Sequence, residues 1–432
     1  MLTCRSGLMP TKSRSASSEP MIPYGRQDIS QADIDAVVGV LRSDFLTQGP
    51  AVPRFEEVVA QYCGAQHAVA VNSATSALHI ACLALDLGPG DWLWTSPNTF
   101  VASSNCALYC GAKVDFVDID PHTYNMSLER LKEKLIQAEK EGCLPKILIP
   151  VHFAGQPCDM AAIHELSQQY SFNIIEDASH ALGAYYATAS KLPSIISSSE
   201  AAWKSSEAKE STSIKVGSCT HSHIAVFSFH PVKIITTGEG GMAVTNDPAL
   251  ARRMLRLRTH GITNDKELMQ SRPVNEIWNY QQIELGFNYR MTDIQAALGL
   301  IQMQRLDEFV SRRHEIAERY DAKFISLPIT TPHQTPDIYS SYHLYPIRVT
   351  EAESGKTQQQ IYDVLWQNGV AANLHYIPVH RQPYYESLGF KTGDFPEAEQ
   401  FHREVISVPM YPALQQQQQD TVVRVFLETL AS

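Results

Sequence analysis

The sequence predicts an α/β protein with a mostly parallel sheet in a large domain, followed by a smaller α+β domain. Short apolar segments alternate with helix-length segments from about residue 68 to residue 245. A long helical stretch then leads into a C-terminal part with its own strand and helix patterns. Strands separated by helices form βαβ units, and the resulting parallel sheet is covered by helices on both faces.

The composition is that of a folded protein with a large core, because 44% of the 432 residues are hydrophobic and 19% are charged. The net charge of −11 disfavours a nucleic-acid-binding surface, although a local pocket for a phosphorylated small molecule remains compatible with it. No apolar run reaches the roughly 18–20 residues of a membrane-spanning helix. Eight cysteines without a C-x-x-C pair indicate free thiols. We therefore expect a cytoplasmic protein with no metal site, no nucleic-acid partner and no membrane partner.

The elements of the large domain follow from local patterns. The predicted strands are residues 68–71, 92–95, 147–152, 172–176, 224–229 and 242–245, and the predicted helices are residues 76–85, 128–141 and 160–170. A further helix begins at Asp247-Pro248, because an N-cap acceptor precedes a proline at the first helical position. Apolar residues at i, i+3, i+4 spacing predict a helix from Thr292 that extends as far as Phe324.

Three regions of the chain are expected. Residues 1–20 are serine-rich and basic, which predicts a disordered leader, with an organelle-targeting segment or a start at Met21 as the alternatives. Residues 21–310 form the large domain, and residues 311–432 form the small domain, with a strand at 342–349, a helix at 358–368 and a loop at 373–385. Residues 187–215 contain nine serines and few large apolar residues, so they are expected to be a surface insertion.

Polar side chains follow the carboxyl ends of three predicted strands, where an open parallel sheet binds its ligand. Thr75 and Ser76 open a helix, Asp177 ends a strand, and Lys233 follows the strand that closes near Ser228. Taken singly, a helix cap, a loop contact and a solvated lysine explain them. Together they are the components of a pyridoxal phosphate site: a phosphate cradle at a helix N-terminus, a lysine nucleophile and an acid for the pyridine nitrogen.

Six segments, which occur in the same order as in a known family, carry a resemblance. They are residues 72–78 (NSATSAL), 97–102 (PNTFVA), 176–181 (EDASHA), 228–233 (SFHPVK), 237–241 (TGEGG) and 286–297 (GFNYRMTDIQAA). Over residues 21–425 the chain resembles the pyridoxal-phosphate-dependent sugar-nucleotide aminotransferases of the DegT/StrS kind, which have the fold-type I transferase architecture. Residues 374–385 (LHYIPVHRQPYY) are most similar to the branch of the pseudaminic acid pathway.

The resemblance implies a role for each matching position. Lys233 bonds to the cofactor, Asp177 pairs with its pyridine nitrogen, His180 contacts its 3-oxygen, Phe100 stacks on its ring, Thr75, Ser76 and Ser228 hold its phosphate, Asn288 reaches the phosphate of the neighbouring subunit, and His375, Tyr376 and His380 contact the nucleotide-sugar. The role of Asn288 implies a homodimer with shared active sites.

The reaction implied is transfer of an amino group from glutamate to the 4-keto group of a UDP-linked 6-deoxy-N-acetylhexosamine. Sugar dehydratases of this fold carry histidine where this chain has Lys233, which favours transamination. Two alternatives stay open: an aminotransferase for another keto nucleotide-sugar, such as a TDP-sugar or UDP-4-keto-arabinose, and a binding or regulatory protein without turnover.

Overall fold

The computed structural model describes residues 21–187, 213–271, 279–336 and 338–430. The predicted leader, and residues 188–212 of the predicted insertion, lie outside the described residues. The strands are β1 Ile22–Pro23, β2 His67–Val71, β3 Trp92–Thr95, β4 Lys113–Phe116, β5 Ile147–Ile149, β6 Asn173–Asp177, β7 Tyr185–Ala187, β8 Ser213–Lys215, β9 Ile224–Ser228, β10 Gly241–Thr245, β11 Ile262–Thr263, β12 Gln281–Gln282, β13 Ile338–Tyr339, β14 Tyr345–Arg348, β15 Val370–Ala371 and β16 Val405–Val408.

The helices surround these strands. They are α1 Gln31–Leu41, α2 Ala51–Cys63, α3 Ala74–Ala84, α4 Ala102–Tyr109, α5 Leu128–Glu141, α6 Met160–Tyr170, α7 Pro248–Leu257, α8 Asp293–Gln304, α9 Leu306–Phe324, α10 Glu351–Ser354, α11 Gln358–Gln367, α12 Pro383–Glu386, α13 Pro396–Glu404 and α14 Gln416–Leu430, with short 3-10 turns at Phe153–Gly155 and Val379–Arg381. In the described part of the chain, no helix combines the length and apolar character needed to span a bilayer.

A seven-stranded sheet in the order β2-β10-β9-β6-β5-β3-β4 forms the centre of the large domain. Strands β4, β3, β5, β6 and β9 pair in parallel, and β10 is antiparallel to both β9 and β2. The prediction of a mostly parallel sheet is therefore confirmed. Because β2, β6 and β9 run in the same direction, their carboxyl ends meet at one edge of the sheet.

Both faces of this sheet are buried, as the alternation of side chains along its strands requires. In β9, Ala225 and Phe227 belong to one hydrophobic cluster, and Ile224 and Val226 belong to the other. All four are fully buried. The two clusters hold the sheet rigidly, so the loops at its carboxyl edge start from fixed positions.

A third hydrophobic cluster marks the C-terminal part of the chain. It includes Ile316, whereas Phe309 and Val310 of the same helix belong to a cluster of the large domain. Ile22 also belongs to this third cluster, because β1 pairs in parallel with β15. The N-terminal strand therefore packs with the C-terminal part, although the sequence analysis assigns residue 22 to the large domain.

The long helix predicted from Thr292 to Phe324 is two helices. Helix α8 ends at Gln304 and α9 begins at Leu306, because Arg305 between them leaves the helical conformation. The Arg305 guanidinium donates hydrogen bonds of 2.8 Å to both Asp28 and Asp33. These carboxylates lie about 270 residues away in sequence, so the apolar periodicity of the helix contains no sign of the break.

Other boundaries differ for local reasons. The strand predicted at 147–152 stops at Ile149, because Pro150 has no N–H to donate to a neighbouring strand. The strand predicted at 342–349 begins only at Tyr345, since Tyr342 has a left-handed φ of 46°. The described ends of the predicted insertion are not irregular, because β7 and β8 pair in antiparallel fashion.

Candidate active site

A cavity of about 700 Å³ opens at the edge where β2, β6 and β9 end. It borders nine of the sequence-predicted site residues: Thr75, Ser76, Phe100, Asp177, His180, Ser228, Lys233, His375 and Tyr376. The other two, Asn288 and His380, do not border it. The fold thus brings together residues that are up to about 300 positions apart in sequence.

Lys233 lies in the turn after β9, where its backbone N–H donates to the carbonyl of His230 at 2.9 Å. Its side chain is partly buried, and Nζ has no hydrogen-bond partner among the described residues. Burial lowers the pKa of Lys233 from 10.5 to about 8, while the negative charge of Asp177 opposes the shift. A substantial fraction of this amine is therefore neutral near physiological pH, which is the nucleophilic form.

Asp177 is the last residue of β6 and is buried. The Ser103 hydroxyl donates to its Oδ2 at 2.6 Å, and the Ser179 backbone N–H donates to its Oδ1 at 3.1 Å. Each carboxylate oxygen retains a further acceptor position. A fixed, buried carboxylate of this kind fits a cationic N–H group of a ligand, as the pyridine nitrogen of the cofactor is when protonated.

The tautomer of His180 follows from its neighbours. Its Nδ1 accepts a hydrogen bond from the Ala154 backbone N–H at 3.3 Å, so the proton of the neutral ring lies on Nε2. Nε2 is 3.2 Å from the hydroxyl of Tyr376. Burial, reinforced by the nearby basic groups Lys233 and His375, holds the pKa of His180 well below its usual range. His180 is therefore a neutral N–H donor towards the cavity.

The N-terminus of α3 forms a cradle for an anion. Ser73 caps the helix by accepting the Ser76 backbone N–H at 3.1 Å, and among the described residues nothing pairs with the N–H groups of Ala74 and Thr75. The Thr75 hydroxyl is also without a partner there. Two free N–H groups and a hydroxyl at the positive end of a helix are suited to a phosphate.

The two predicted serines of the cradle differ in availability. Ser76 Oγ donates to Asn72 Oδ1 at 2.6 Å, so this hydroxyl proton stabilises the loop before α3 and is not available to a ligand. Ser228 Oγ accepts the His230 backbone N–H at 3.5 Å and keeps its own proton for a ligand. In this arrangement Thr75 and Ser228 offer hydroxyl protons to a phosphate, and Ser76 acts through Asn72.

Gly241 allows the backbone of β10 to approach this cradle. A Cβ at this position would lie 2.5 Å from the backbone nitrogen of Ala74, closer than any real contact allows. Of the three glycines in the 237–241 segment, Gly241 is thus required by the close approach of two backbones.

Phe100 precedes α4, and its side chain is 59% exposed on the cavity, 6.5 Å from the ring of Tyr376. An ordinary core position, the alternative for a lone phenylalanine, is excluded by this exposure. Burial raises the pKa of the Tyr376 hydroxyl, which keeps it protonated. The two aromatic rings form an apolar wall against which a planar ligand can pack.

The histidines of the predicted sugar-binding loop have different environments. His375 borders the cavity, but its Nε2 accepts from Asn373 at 3.2 Å and its Nδ1 donates to Ser407 at 2.9 Å. Burial, reinforced by the charge of Lys233, lowers its pKa to about 3. Both ring nitrogens are thus already used, so His375 contributes the shape of the wall.

His380 is a predicted substrate-binding residue that the fold places away from the cavity. It is fully buried away from the cavity, and its Nε2 bonds to Glu399 Oε1 at 2.9 Å. The 3-10 turn at Val379–Arg381 directs the chain back onto the large domain, where Val379 N–H donates to the carbonyl of Pro97. This histidine stabilises the loop and does not reach a ligand in the cavity.

Asn288 is exposed and lies outside the cavity of its own chain. Its backbone forms an isolated antiparallel β-bridge with Thr259. A role at the phosphate of a neighbouring subunit stays a prediction.

The sequence analysis missed several cavity residues, among them His343, Tyr24 and Asn373, and it also missed Ser103, the partner of Asp177. His343 precedes β14, and its ring lies 4.3 Å from that of His180; Tyr24 and Asn373 also border the cavity. No local pattern marks these positions. Ser103 directly follows the segment 97–102, so extending that segment by one residue would have included it.

The chain is similar to several known proteins. The sequence model of the DegT/DnrJ/EryC1/StrS aminotransferase family matches residues 27–427. The spore coat polysaccharide biosynthesis protein SpsC of Bacillus subtilis is 35% identical over 405 residues, which cover 93% of this chain and 95% of SpsC. The UDP-4-amino-4,6-dideoxy-N-acetyl-beta-L-altrosamine transaminase of Campylobacter jejuni is 35% identical over 395 residues, 90% of this chain and 93% of that enzyme.

Solved structures show the same similarity. PseC of Helicobacter pylori, an aminotransferase of pseudoaminic acid biosynthesis, superposes with a TM-score of 0.79 at 30% identity, covering 95% of this chain and 99% of PseC. The PLP form of the putative sugar aminotransferase Spr1654 of Streptococcus pneumoniae has a TM-score of 0.79 at 28% identity, covering 95% of this chain and 99% of that one. The chain therefore belongs to the DegT/DnrJ/EryC1/StrS aminotransferase family, and the predicted fold, enzyme class and cofactor are confirmed.

Proposed function

We propose that this family member transfers the amino group of glutamate to the 4-keto carbon of a UDP-linked 6-deoxy-N-acetylhexosamine, in the cytoplasm and as a step towards pseudaminic acid. The observation that carries the proposal is the placement of Lys233, Asp177 and the α3 N-terminus on one cavity. The similarity to the Campylobacter transaminase and to PseC supports the choice of sugar.

The residues present fit pyridoxal phosphate. The N–H groups of Ala74 and Thr75, with the Thr75 and Ser228 hydroxyls, would hold its phosphate, and Asp177 would hold the proton on its pyridine nitrogen. His180 would donate Nε2–H to its 3-oxygen. Bound in this way, the cofactor supplies an electron sink for the bond broken at the donor carbon.

Lys233 has two duties in this chemistry. Its neutral amine would hold the cofactor covalently until the amino donor binds. Once free, Nζ takes the proton from Cα of the amino acid as a general base and later returns a proton as a general acid. The pKa of about 8 suits both directions, since neither the protonated nor the neutral form is rare near pH 8.

The second half of the reaction uses the same groups in reverse. Lys233 Nζ moves a proton at C4 of the sugar, and the aromatic wall of Phe100 and Tyr376 keeps one face of the site apolar. In our proposal Asn288 of a second copy completes the phosphate cradle, so the active enzyme is a homodimer.

The test is an incubation of the purified protein with ¹⁵N-glutamate and a panel of keto nucleotide-sugars, followed by mass spectrometry of the amino-sugar. We expect label in the product of the UDP-4-keto-6-deoxy-N-acetylhexosamine. Lys233→Ala serves as the inactive control. Amination of only a TDP-sugar or UDP-4-keto-arabinose would refute the proposed substrate.

Another keto nucleotide-sugar is the second candidate substrate. SpsC, which acts in spore coat polysaccharide biosynthesis, is as similar to this chain as the Campylobacter transaminase is. The same panel distinguishes the two candidates.

A further inference from the structure

A buried guanidinium lies behind one wall of the cavity. Arg313 of α9 is 1% exposed, and its Nη1 donates to the backbone carbonyls of Tyr342, His343 and Met410 at 3.0–3.1 Å. Among the described residues no carboxylate pairs with it, and its Nε has no partner. Burial lowers the pKa of Arg313 to about 9, still above physiological pH. Because no carboxylate among the described residues compensates this buried charge, it favours an anionic group in the neighbouring cavity.

His343 stands between this charge and the cavity. It is 3% exposed and borders the cavity, and its Nδ1 is enclosed without a hydrogen-bond partner. Its Nε2 also has no partner among the described residues. Native proteins rarely leave a buried polar ring unpaired, so a ligand that reaches Nε2 from the cavity is its natural partner.

The surroundings of His343 set its charge state. Burial and the neighbouring basic groups His180, Lys233, Arg313 and His375 hold the pKa of His343 well below its usual range. The ring is therefore neutral, but Lys233 and Arg313 make its surroundings positive, and no carboxylate is among the groups that act on it. A neutral N–H donor in a positive field favours an anionic ligand group.

We propose that His343, with Arg313 behind it, recognises the α-carboxylate of the amino donor, an α-amino acid. This inference rests on the proposed function only in that the donor is an amino acid. Among the described residues of one subunit, the cavity lining contains no arginine and Lys233 as its one lysine, so His343 is the group of this lining that is suited to the carboxylate.

A neutral imidazole also suits a cavity that must accept two different substrates in turn. An exposed guanidinium would lose its partner when the sugar ring, which has no carboxylate, replaces the amino acid. The neutral ring of His343 carries no charge that the sugar would leave uncompensated, and Arg313 remains paired with backbone carbonyls. The positive charge of Arg313 then stabilises the carboxylate of the amino acid and has little effect on the sugar ring, which has no carboxylate.

The test measures the two half-reactions separately, in the variants His343→Leu and His343→Gln. In His343→Leu we expect kcat/KM for glutamate to fall about 10- to 100-fold, mainly through KM, because a hydrogen bond to a charged group is lost. The rate at which the enzyme passes its amino group to the keto sugar should change less than about threefold. His343→Gln, which keeps an N–H donor, should restore most of the glutamate reaction.

A donor without the α-carboxylate gives a second readout. Wild-type enzyme should prefer glutamate to 4-aminobutyrate, and His343→Leu should lose most of that preference. The cofactor-free His343→Leu protein should melt at the wild-type temperature or above it, because the leucine replaces a polar group without a partner. A purely structural role would instead lower the melting temperature and slow both half-reactions equally.

Equal losses in the two half-reactions, or an undiminished preference for glutamate in His343→Leu, would overturn the inference. The glutamate half-reaction needs no sugar. A protein that reacts with glutamate but aminates no UDP-keto-sugar would therefore refute the proposed function and leave this inference standing.

Discussion

The low pKa of Lys233 predicts an unusual pH dependence of its reactivity in the cofactor-free protein. At pH 7.5 a group with a pKa of about 8 is about one-quarter neutral, whereas an ordinary lysine with a pKa of 10.5 is about 0.1% neutral. Competitive acetylation at a trace level, read by peptide mass spectrometry across pH 6–11, should therefore give a midpoint near pH 8 for Lys233. The exposed Lys391 of the same chain serves as the internal standard.

The neighbouring carboxylate gives a direction for a second measurement. The negative charge of Asp177 raises the pKa of Lys233 against the effect of burial. Asp177→Asn removes that charge while keeping the shape of the side chain, so the midpoint of Lys233 should move below that of the wild type. A wild-type midpoint near pH 10, or an upward shift in Asp177→Asn, would refute the electrostatic reasoning.

The same pKa shift has a consequence for stability. Between about pH 8 and pH 10.5 the unfolded chain binds more protons at Lys233 than the folded one, so stability rises with pH in that window. Below pH 8 the folded protein carries the full cost of keeping this buried amine charged. The lowering of the pKa by about 2.5, at 1.36 kcal/mol per pH unit, must be reduced because the side chain is partly exposed, so this cost is at most about 3 kcal/mol. Cofactor-free Lys233→Met should therefore melt above the wild type at pH 7, and this difference should shrink towards pH 10.

Three further predictions concern other parts of the site. Mixing inactive Lys233→Ala and Asn288→Ala subunits should restore about a quarter of wild-type activity if each site takes one residue from each subunit, since half the dimers are mixed and hold one intact site; no recovery would exclude shared sites. Gly241→Ala should weaken pyridoxal phosphate binding at least about tenfold in a spectral titration, whereas Gly88→Ala, with open space around its Cβ, should not. His380→Ala should lower the free energy of unfolding by about 1–3 kcal/mol and leave KM for the sugar unchanged, because its ring lies outside the cavity; a large rise in KM would restore its predicted role.

The fold shows where local sequence patterns suffice. Helices α5 and α6 have the predicted bounds, since capping residues and apolar spacing are local. The end of β5 is also local, because Pro150 follows it directly. The break between α8 and α9 is not, because Arg305 is held by two carboxylates from the N-terminal segment. Such a long-range pair leaves the apolar period of the helix unchanged.

The site divides in the same way. Lys233, Asp177 and Thr75 were predictable from the chain alone, because each lies at or within a few residues of the carboxyl end of a strand, and these ends meet at one edge. His375 and His380 lie five residues apart in one loop and look alike in sequence, yet one borders the cavity and the other is enclosed against Glu399. Only packing between the two parts of the molecule separates them.

The amino-acid order by itself determined which side chains can perform the chemistry, since a nucleophilic amine, an acid and a helix N-terminus are properties of short segments. The tertiary structure decided which groups surround them. The desolvation of the Lys233 amine, the bond from Ser103 to Asp177, and the approach of His343 and Arg313 all depend on contacts between distant segments. Burial and electrostatic fields are sums over neighbours in space, and the neighbours of a residue in space are known only once the chain has folded.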